Sequence, residues 1–469
     1  MRYHDDDFES RVERIRYQVL RELARHTWQG HDAFTAFNEI ANVIVKKGEP
    51  PIRCCIYKDR AIIGERIRIG LGSYHGSKDV VQVVTIACED CPKSGYSVTS
   101  LCRGCIAHNC QMACPKEAIV IDEYKHAHID KRKCIECGRC AKECKYDAIV
   151  NMVRPCEKAC KVGAITMDEN GDAKILHDKC IVCGNCIIEC PFGAMNSVSS
   201  ITAVIKEIMA KKEGEKIFAI IAPSMITQCN ESNFGQVITA IKMLGFDDVF
   251  EVADGADLAA LADAKELLEK GFVTSSCCPA FVEYVHTYFP ELKDKVSDAP
   301  SPMILTAEMV KAKYPNSKVV FFGPCIAKKW EVAKQTNGLV DYALTFNEFV
   351  AMMDSKEIPI TELEPTELNT ASGFGRGFAR AGGLTAAVKQ ALIELGHEDF
   401  EFKPIVCNGL EECKAALTKA KFGKLDANFV EGMICPGGCV GGPGNIGHMA
   451  NTDKGIDYLI EKAHKKTLK

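Results

Sequence analysis

The sequence lacks an apolar run long enough to cross a membrane. Its first residues, MRYHDDDFES, lack both the apolar core and the twin arginine of an export signal. We therefore expect a cytoplasmic protein without membrane attachment. The sequence also lacks a GxGxxG motif and a P-loop, so direct use of a nicotinamide or nucleotide is not expected. Nucleic acid is not expected among its partners.

Cysteine is abundant instead, with 26 among 469 residues. Secreted proteins that reach such densities through disulfides are much shorter, so this chain is predicted to bind metal or to carry out redox chemistry. Sixteen of the cysteines lie between residues 88 and 190. Buried structural thiols are expected at the isolated positions: Cys54, Cys55, Cys229, Cys407 and Cys413.

The cysteine distribution predicts three domains, over residues 1–87, 88–200 and 201–469. The first begins with the helical periodicity of FESRVERIRYQVLRELA, and its role is not apparent from its residues. The third alternates apolar strands, such as KIFAIIAPS and KVVFFGPC, with amphipathic helices. This alternation is typical of an α/β domain.

Cys134 and Cys180 each begin a C-x2-C-x2-C-x3-C spacing. In this spacing one tight loop gives three thiolates to a 4Fe–4S cluster, and the fourth cysteine binds a neighbouring cluster. The segments CPKEAIVID, CKYDAIVNM, CKVGAITMD and CPFGAMNSV also share one pattern. The middle domain therefore resembles two tandem bacterial-type ferredoxin units with an α+β fold, the second with an incomplete first half.

Crossed ligation predicts three clusters and leaves four cysteines for a fourth. The three sets are Cys102, Cys105, Cys110 and Cys144; Cys114, Cys134, Cys137 and Cys140; and Cys160, Cys180, Cys183 and Cys186. The remaining set is Cys88, Cys91, Cys156 and Cys190. The alternative is a zinc knuckle with C-x2-C-x10-C-x2-C spacing, formed by Cys88, Cys91, Cys102 and Cys105. Surface or turn positions are expected for His108, His126 and His128.

Three loops of the last domain carry cysteine after apolar strands: SSCCPAF, GPCIAKKWE and EGMICPGGCVGGPG. Together they hold five thiols, and four would complete one cubane cluster. Neighbouring residues of an extended strand point to opposite sides, so Cys277 and Cys278 are expected to have different roles. Lys328 lies three residues after Cys325 and is placed to direct an ammonium group at an anionic ligand.

These loops resemble the motifs TSCCPxW, PCxxKxxE and ExMxCxGGCxxG of the FeFe hydrogenases, and the resemblance extends over residues 217–445. It implies an α/β catalytic domain like the large subunit of that family, preceded by its iron–sulfur electron-input modules. Three positions depart from the family pattern: Phe281 replaces a tryptophan, Met303 a glutamine and Gly323 a methionine. The departures leave the ligands intact and alter the groups around them.

The resemblance implies a 4Fe–4S cubane bridged to a diiron subsite with carbon monoxide, cyanide and dithiolate-amine ligands. The implied cubane ligands are Cys278, Cys325, Cys435 and Cys439, of which Cys439 bridges to the diiron subsite. Cys277 is implied to stay free and to exchange protons with that subsite.

A proton path is implied through Asp263, Glu266 and Ser297, and the two acids share one helix face because they are three residues apart. Lys328 is expected to bind one cyanide, and Pro223 and Ser224 the other. The residues expected to pack on the diiron subsite are Met303, Phe378 and Met433. The segment SGFGRGFARAGG is expected to start a helix beside it.

The implied activity is reversible reduction of protons to hydrogen, after maturation proteins have built the diiron subsite. A hydrogen sensor and a non-catalytic iron–sulfur assembly protein are alternatives, and the complete motif set argues against the second. Residues 125–161 contain ten basic and five acidic side chains. This balance favours docking of ferredoxin or a similar small acidic carrier, although it is equally consistent with local compensation of cluster charge.

Overall fold

The computed structural model describes residues 8–72, 79–229, 234–335, 337–446 and 452–469. Its N-terminal region is helical, as the sequence periodicity predicts. Helices and strands are numbered in chain order, and this region contains α1 (Arg11–Trp28), α2 (Ala33–Ile44) and α3 (Ile56–Gly70). Helix α1 begins after Ser10, whose hydroxyl accepts a hydrogen bond from the Glu13 amide at 3.1 Å.

Short helices and antiparallel strand pairs make up the cysteine-dense region. Its elements are β1 (Val81–Val83), α4 (Thr85–Cys88), β2 (Gly95–Val98), α5 (Asn109–Met112), β3 (Ile119–Ile121), β4 (Ala127–Ile129), α6 (Arg139–Glu143), β5 (Ile149–Met152), α7 (Pro155–Ala159), β6 (Ile165–Met167), β7 (Ala173–Ile175), α8 (Asn185–Ile188) and β8 (Met195–Ser197). The pairs are β1–β8, β2–β5, β3–β4 and β6–β7. Strand β1 precedes the expected boundary at residue 88, and through its pairing with β8 it belongs to this region.

The internal repeat of the sequence corresponds to a repeated local structure. Each of the four similar segments places a strand, namely β3, β5, β6 or β8, five residues after its cysteine. The four cysteines are Cys114, Cys144, Cys160 and Cys190. The same spacing therefore produces the same turn from a cysteine into a short strand four times.

The C-terminal region alternates helices with parallel strands. Its elements are α9 (Ile201–Ala210), β9 (Ile217–Ile221), α10 (Phe234–Met243), β10 (Asp248–Glu251), α11 (Val252–Lys270), β11 (Val273–Thr274), α12 (Pro279–Tyr288), α13 (Pro302–Lys313), β12 (Lys318–Gly323), α14 (Ile326–Gln335), β13 (Tyr342–Thr345), α15 (Phe346–Ser355), α16 (Gly373–Gly377), α17 (Gly383–Glu394), β14 (Pro404–Asn408), α18 (Leu410–Lys421), β15 (Phe429–Met433) and α19 (Thr452–Glu461).

Two parallel sheets form the framework of this region. One has the strand order β10–β9–β12–β13, and the other has the order β11–β15–β14. Every residue of β9 and of β15 is buried. Parallel sheets are covered on both faces, which explains why runs such as IFAII are apolar throughout instead of alternating.

The N-terminal helices share their core with the larger sheet. Helix α1 packs against α9 and α15, and α2 packs against α3. Leu23 of α1 and Ile40 of α2 lie in one continuous apolar cluster with Val204, Ile220 and Phe349. This shared burial stabilises the three N-terminal helices as part of the same body.

One expectation about isolated thiols is wrong. Cys54 is exposed and Cys55 is half-buried, whereas Cys229, Cys407 and Cys413 are buried as expected. Cys54 and Cys55 lie in the surface turn that leads into α3, and the Cys55 sulfur accepts a hydrogen bond from the Lys58 amide at 3.5 Å. Of the helices that the structure describes, none is both long and apolar enough to cross a membrane.

Candidate metal centres and proton path

The cysteine-bearing loops of the C-terminal region meet at one cavity of about 90 Å³. They follow β11, β12 and β15, and the loop after β9 adds Pro223 and Ser224 to the wall. Ligand sites of parallel sheets form at the carboxyl ends of the strands, which is where all four loops begin. The cavity wall contains the five thiols of these loops: Cys277, Cys278, Cys325, Cys435 and Cys439.

The segment that carries Cys277 and Cys278 is less extended than its sequence predicts. Strand β11 ends at Thr274, and Cys278 is the N-cap residue of α12, which begins with Pro279. The expectation of a strand that runs through both cysteines is therefore wrong, and both residues line the same cavity. Proline suits the first helical position, so the chain turns here from strand to helix.

Burial makes the thiols of this cavity hard to ionise. It raises the pKa of Cys325 to about 12 and the pKa of Cys439 to about 11, and the charge of the neighbouring Cys278 adds to both shifts. A bound metal cluster offsets this penalty, because thiolates that ligate iron are charge-compensated. Four thiols closing on one apolar cavity are a donor set that fits an iron–sulfur cluster.

The rest of the wall fits a further group with hydrogen-bond acceptors. The Ser224 hydroxyl is fully buried at the cavity and has no hydrogen-bond partner among the described residues, which is costly unless a ligand accepts its proton. Lys328 lines the same cavity, and its Nζ donates to Glu331 Oε2 at 2.6 Å. The predicted packing residues also line it: Pro223, Met303, Phe378 and Met433.

The ammonium group of Lys328 is held in its charged form. Burial lowers the pKa of Lys328, but the charge of Glu331 and its hydrogen bond outweigh burial, so the pKa is raised overall. Glu331 is the last residue of the GPCIAKKWE segment and lies three positions after the lysine on α14. Residues three positions apart lie on one helix face, so their side chains can form a hydrogen bond.

Asp263, Ser297 and Glu266 form a hydrogen-bonded chain. Ser297 Oγ lies 2.5 Å from Asp263 Oδ1 and 2.7 Å from Glu266 Oε2. A hydroxyl donates only one proton, so one carboxyl group must be protonated for both contacts to be hydrogen bonds. Burial raises the pKa of Asp263 to about 7, against the lowering effect of the Ser297 bond. Asp263 is therefore the carboxyl group that carries a proton near neutral pH.

The chain connects the cavity with the surface. At its inner end, burial, the neighbouring thiols and the Asp263 charge all raise the pKa of Cys277, so Asp263 lies within electrostatic range of this thiol. At its outer end, Glu266 pairs with Lys270, and Lys270 lies 2.9 Å from Asp298, whose side chain is 88% exposed. The arrangement can pass protons between solvent and Cys277.

The structure gathers the other sixteen cysteines into the four sets expected from crossed ligation. The Cys110 site comprises Cys102, Cys105, Cys110 and Cys144. The Cys140 site comprises Cys114, Cys134, Cys137 and Cys140. The Cys186 site comprises Cys160, Cys180, Cys183 and Cys186. The Cys190 site comprises Cys88, Cys91, Cys156 and Cys190.

All four sites contain the same backbone contact. In each, an alanine amide donates to the cysteine sulfur four residues earlier, at 3.2 to 3.4 Å. The donors are Ala118, Ala148, Ala164 and Ala194. N–H···S bonds favour the thiolate and are one of the determinants of cluster reduction potential, so the repeat equips each site in the same way.

The cysteines of the zinc-knuckle alternative lie apart in the structure. Cys88 and Cys91 share a cavity with the rest of the Cys190 site, whereas Cys102 and Cys105 lie beside Cys110. Arg154 lines the same cavity, and its Nη1 lies 3.4 Å from Cys88 Sγ. A buried arginine beside four sulfurs suits an anionic cluster.

The sites lie in series. Cys183 of the Cys186 site is near enough to Cys435 for their charges to interact. Cys156 of the Cys190 site is likewise near Cys186. Strand β2 connects the Cys190 site with the Cys140 site. It begins four residues after Cys91, and its residue Tyr96 lines the Cys140 site. Closely spaced redox centres of this kind can conduct electrons from the surface to the cavity.

The sequence analysis assigned no individual role to three side chains that contribute to these sites. Lys270 lies four residues after Glu266 on α11, and Glu331 lies three residues after Lys328, so helical spacing offered a signal for both. Nothing in the spacing of Arg154 connects it with Cys88. The histidines considered as ligands are surface or turn residues as expected: His108 precedes α5, His126 is exposed, and His128 pairs with Asp122.

We expect the fully loaded protein to contain iron and no zinc in the cysteine-dense region. Four 4Fe–4S clusters there correspond to about sixteen iron atoms in addition to those of the C-terminal cavity. Metal analysis by plasma mass spectrometry, with Cys156→Ser as the matched variant, tests this. The variant should lose about four iron atoms, and one zinc per chain with three accessory clusters would contradict the prediction.

Comparison with known proteins agrees with these features. The family profile described as the iron-only hydrogenase large subunit, C-terminal domain, matches residues 215–443. The profile described as a 4Fe-4S dicluster domain matches residues 101–148 and again 154–194. The two dicluster matches confirm the prediction of two tandem ferredoxin-like units.

Iron hydrogenase 1 of Clostridium pasteurianum is 28% identical over an alignment of 385 residues, which covers 70% of this chain and 66% of that protein. The cytosolic Fe-S cluster assembly factor NAR1 of Eremothecium gossypii is 29% identical over 151 residues, 30% of this chain and 34% of that protein. A solved FeFe-hydrogenase structure from Chlamydomonas reinhardtii aligns with a TM-score of 0.46 at 21% identity, covering 57% of this chain and 90% of that chain.

The matched stretch thus spans less than two thirds of the length of either curated relative. The chain is an FeFe-hydrogenase-like protein with a ferredoxin-like region, and its residues 215–443 are similar to the C-terminal domain of iron-only hydrogenase large subunits.

Proposed function

We propose that this protein is an FeFe hydrogenase, which interconverts protons and electrons with molecular hydrogen. The observation that carries the proposal is the position of Cys277. It lines the same cavity as four other thiols and lies at the inner end of the chain formed by Asp263, Ser297 and Glu266. A fifth thiol that ends a proton path is what proton reduction requires.

In this proposal, Cys278, Cys325, Cys435 and Cys439 would hold a 4Fe–4S cubane, and Cys439 would also hold the diiron subsite; their position around one cavity supports this. When bound, that subsite with its carbon monoxide, cyanide and dithiolate-amine ligands supplies the two-electron chemistry. The protein binds and orients it through Lys328 and the unpaired Ser224 hydroxyl, while the apolar wall excludes water. Maturation proteins deliver the diiron subsite.

The likeness to an assembly factor favours one other candidate, a non-catalytic role in iron–sulfur assembly. That role needs cluster ligands but no path for protons. The hydrogen bonds that join Ser297 with both Asp263 and Glu266, on the proposed route to Cys277, support catalysis over assembly. A hydrogen sensor would use the same centre, and its turnover would be slow.

Replacing Cys277 with alanine should separate assembly from catalysis. Cys277→Ala removes the proton-exchanging thiol and leaves the four cubane ligands, so iron content and the carbonyl and cyanide infrared bands should persist. Hydrogen production should fall about 100-fold or more, since positioned acid–base groups contribute that much. Cys439→Ala, as the contrasting variant, should lose the diiron bands. Full activity in Cys277→Ala would refute this role.

Replacing Ser297 tests the path itself. Ser297→Ala breaks the link between the two carboxyl groups and should lower turnover at least about tenfold, with infrared bands unchanged. Ser297→Thr retains the hydroxyl and should retain most activity. Turnover of the wild type should also vary with pH near 7, where Asp263 titrates, and this dependence should disappear in Asp263→Asn. Equal rates for the alanine and threonine variants would exclude the path.

We further propose ferredoxin, or a similar small acidic carrier, as the electron donor. The outer Cys110 and Cys140 sites expose one cysteine each, Cys105 and Cys137. Apolar side chains are exposed nearby, among them Ile106 at 94% and Tyr124 at 75%. Lys142 and Lys145 are exposed as well. Exposed cluster edges with apolar and basic surroundings support docking of an acidic partner.

Ferredoxin-dependent hydrogen production should weaken as salt rises, because exposed charges are screened over about 8–10 Å at physiological ionic strength. Charge reversal of Lys142 and Lys145 should raise the KM for ferredoxin and leave turnover with a neutral dye unchanged. Lys389→Glu, an exposed lysine of the C-terminal region, serves as the control. If both donors respond to salt alike, the basic stretch only compensates cluster charge.

A further inference from the structure

The N-terminal helices, whose role the sequence leaves open, direct three arginines at the loop that carries Cys190. Arg16 lies on α1, Arg66 lies on α3, and Arg53 precedes α3. All three donate to backbone carbonyl groups of residues 187–195. The pairs are Arg16 with Ile187 at 3.0 Å and with Met195 at 2.8 Å, Arg66 with Gly193 at 3.1 Å, and Arg53 with Phe192.

The loop is shaped to receive one of these side chains. Gly193 has φ +62°, and a Cβ at this position would lie 2.4 Å from Arg66 Nη2. Any other residue would therefore be strained by its backbone and would displace the guanidinium group. Glycine permits both the left-handed turn and the close approach of the arginine.

The same helical region also holds the second cysteine loop of this site. Asp90 lies between Cys88 and Cys91. Its carboxylate is 2.8 Å from Lys58 Nζ and 3.3 Å from Arg53 Nε. Two of the three loops that supply sulfur to the Cys190 site are therefore fixed by side chains from outside the ferredoxin-like region.

Two of the arginines form no ion pair with a carboxylate of the part of the chain that the structure describes. Among the described residues, neither Arg16 nor Arg66 forms an ion pair, and the Nε of each has no hydrogen-bond partner. Arg66 is 5% exposed. Burial lowers the pKa of Arg66 to about 9, and repulsion by Arg16 and Arg53 adds to the shift, so the side chain is still charged at neutral pH.

Unpaired buried charge is expensive unless an opposite charge lies nearby. The charges of Glu13 and Asp59 act on Arg16 and Arg66, respectively, without forming an ion pair with them among the described residues. The remaining negative charge comes from sulfur: Cys190 interacts with both arginines, and Cys186 interacts with Arg16. Four thiolates make a 4Fe–4S cluster anionic, and each electron it takes up adds one negative charge.

We propose that the N-terminal helical region is a cationic clamp that raises the reduction potential of the 4Fe–4S cluster at the Cys190 site. Arg16 and Arg66 stabilise the reduced cluster because their charges attract the added electron. Their hydrogen bonds fix the loop, so the charges stay at constant distance. The inference rests on the proposed function only in requiring that this site holds a 4Fe–4S cluster within the electron path.

Redox titration of the full-length protein, followed by electron paramagnetic resonance, tests the clamp. Cys156→Ser identifies the signal of this cluster by removing it. Arg16→Gln and Arg66→Gln should lower the potential of that signal alone and retain the iron. Arg66→Lys keeps the charge and should leave the potential close to that of the wild type. Arg68→Gln is the matched control, since Arg68 lies on the same helix and pairs with Glu65 at 3.0 Å.

An unchanged potential in both glutamine variants, with full iron content, would overturn the clamp. If either glutamine variant loses the cluster, the Arg66→Lys variant decides the question. A cluster that is retained at the wild-type potential in this variant supports a charge effect, and loss of the cluster overturns the clamp. Absence of the Cys156-dependent signal from the wild type also overturns the clamp, while hydrogen turnover, measured in parallel, would still support the proposed function. A shifted potential in a protein without hydrogen turnover supports the clamp and refutes the hydrogenase.

Discussion

The architecture depends on the cost of placing many sulfur atoms close together away from water. Burial and mutual repulsion raise the pKa of Cys186 and of Cys435 well above that of a free thiol. Such sites contribute little to the stability of the fold until metal binds, because a buried thiolate needs a nearby positive charge. Metal loading and folding of the loops are therefore expected to be coupled. The short strands and single-turn helices around the accessory sites are too small to be stable alone.

The two halves of the chain solve this problem with different frameworks. In the ferredoxin-like region, one short motif repeats, and every copy supplies a sulfur and an amide that bonds to it. In the C-terminal region, two parallel sheets bring distant loops to one cavity. The repeat gives four similar environments, whereas the sheets give a single site in which every wall residue differs.

Charge within the protein is placed according to what each site must do. Lys328 at the cavity has its own buried carboxylate, Glu331, which keeps it protonated. Among the described residues, no cationic side chain pairs with Asp263. Burial therefore raises its pKa to about 7, where it can gain and lose a proton near neutral pH. Arg154 lies directly against Cys88, and two further arginines reach the same site from helices that the ferredoxin units lack.

The sequence by itself showed the likeness to FeFe hydrogenases and the two ferredoxin-like units, and it predicted the cysteine sets and the proposed proton path. These depend on fixed spacings along the chain, since a tight loop around a cluster or a shared helix face leaves few choices of residue separation. It misplaced Cys54 and Cys55 and the geometry of the Cys277–Cys278 pair, because apolar flanks do not show where a strand ends. The sequence also does not show which side chains a polar residue meets after folding. One example is Asp79, whose Oδ1 lies 3.2 Å from His177 Nδ1.

Only the tertiary structure showed which residues the N-terminal helices contact. Arg16, Arg53 and Arg66 have no periodic relation to Cys190, which lies more than 120 positions further along the chain. They meet its loop because α1 packs against α9 and α15 of the C-terminal region, while α3 packs against α1 and against α4 and β8 of the ferredoxin-like region. Long-range packing of apolar faces determines such contacts, and a linear pattern records which faces are apolar but not which surfaces they will bury.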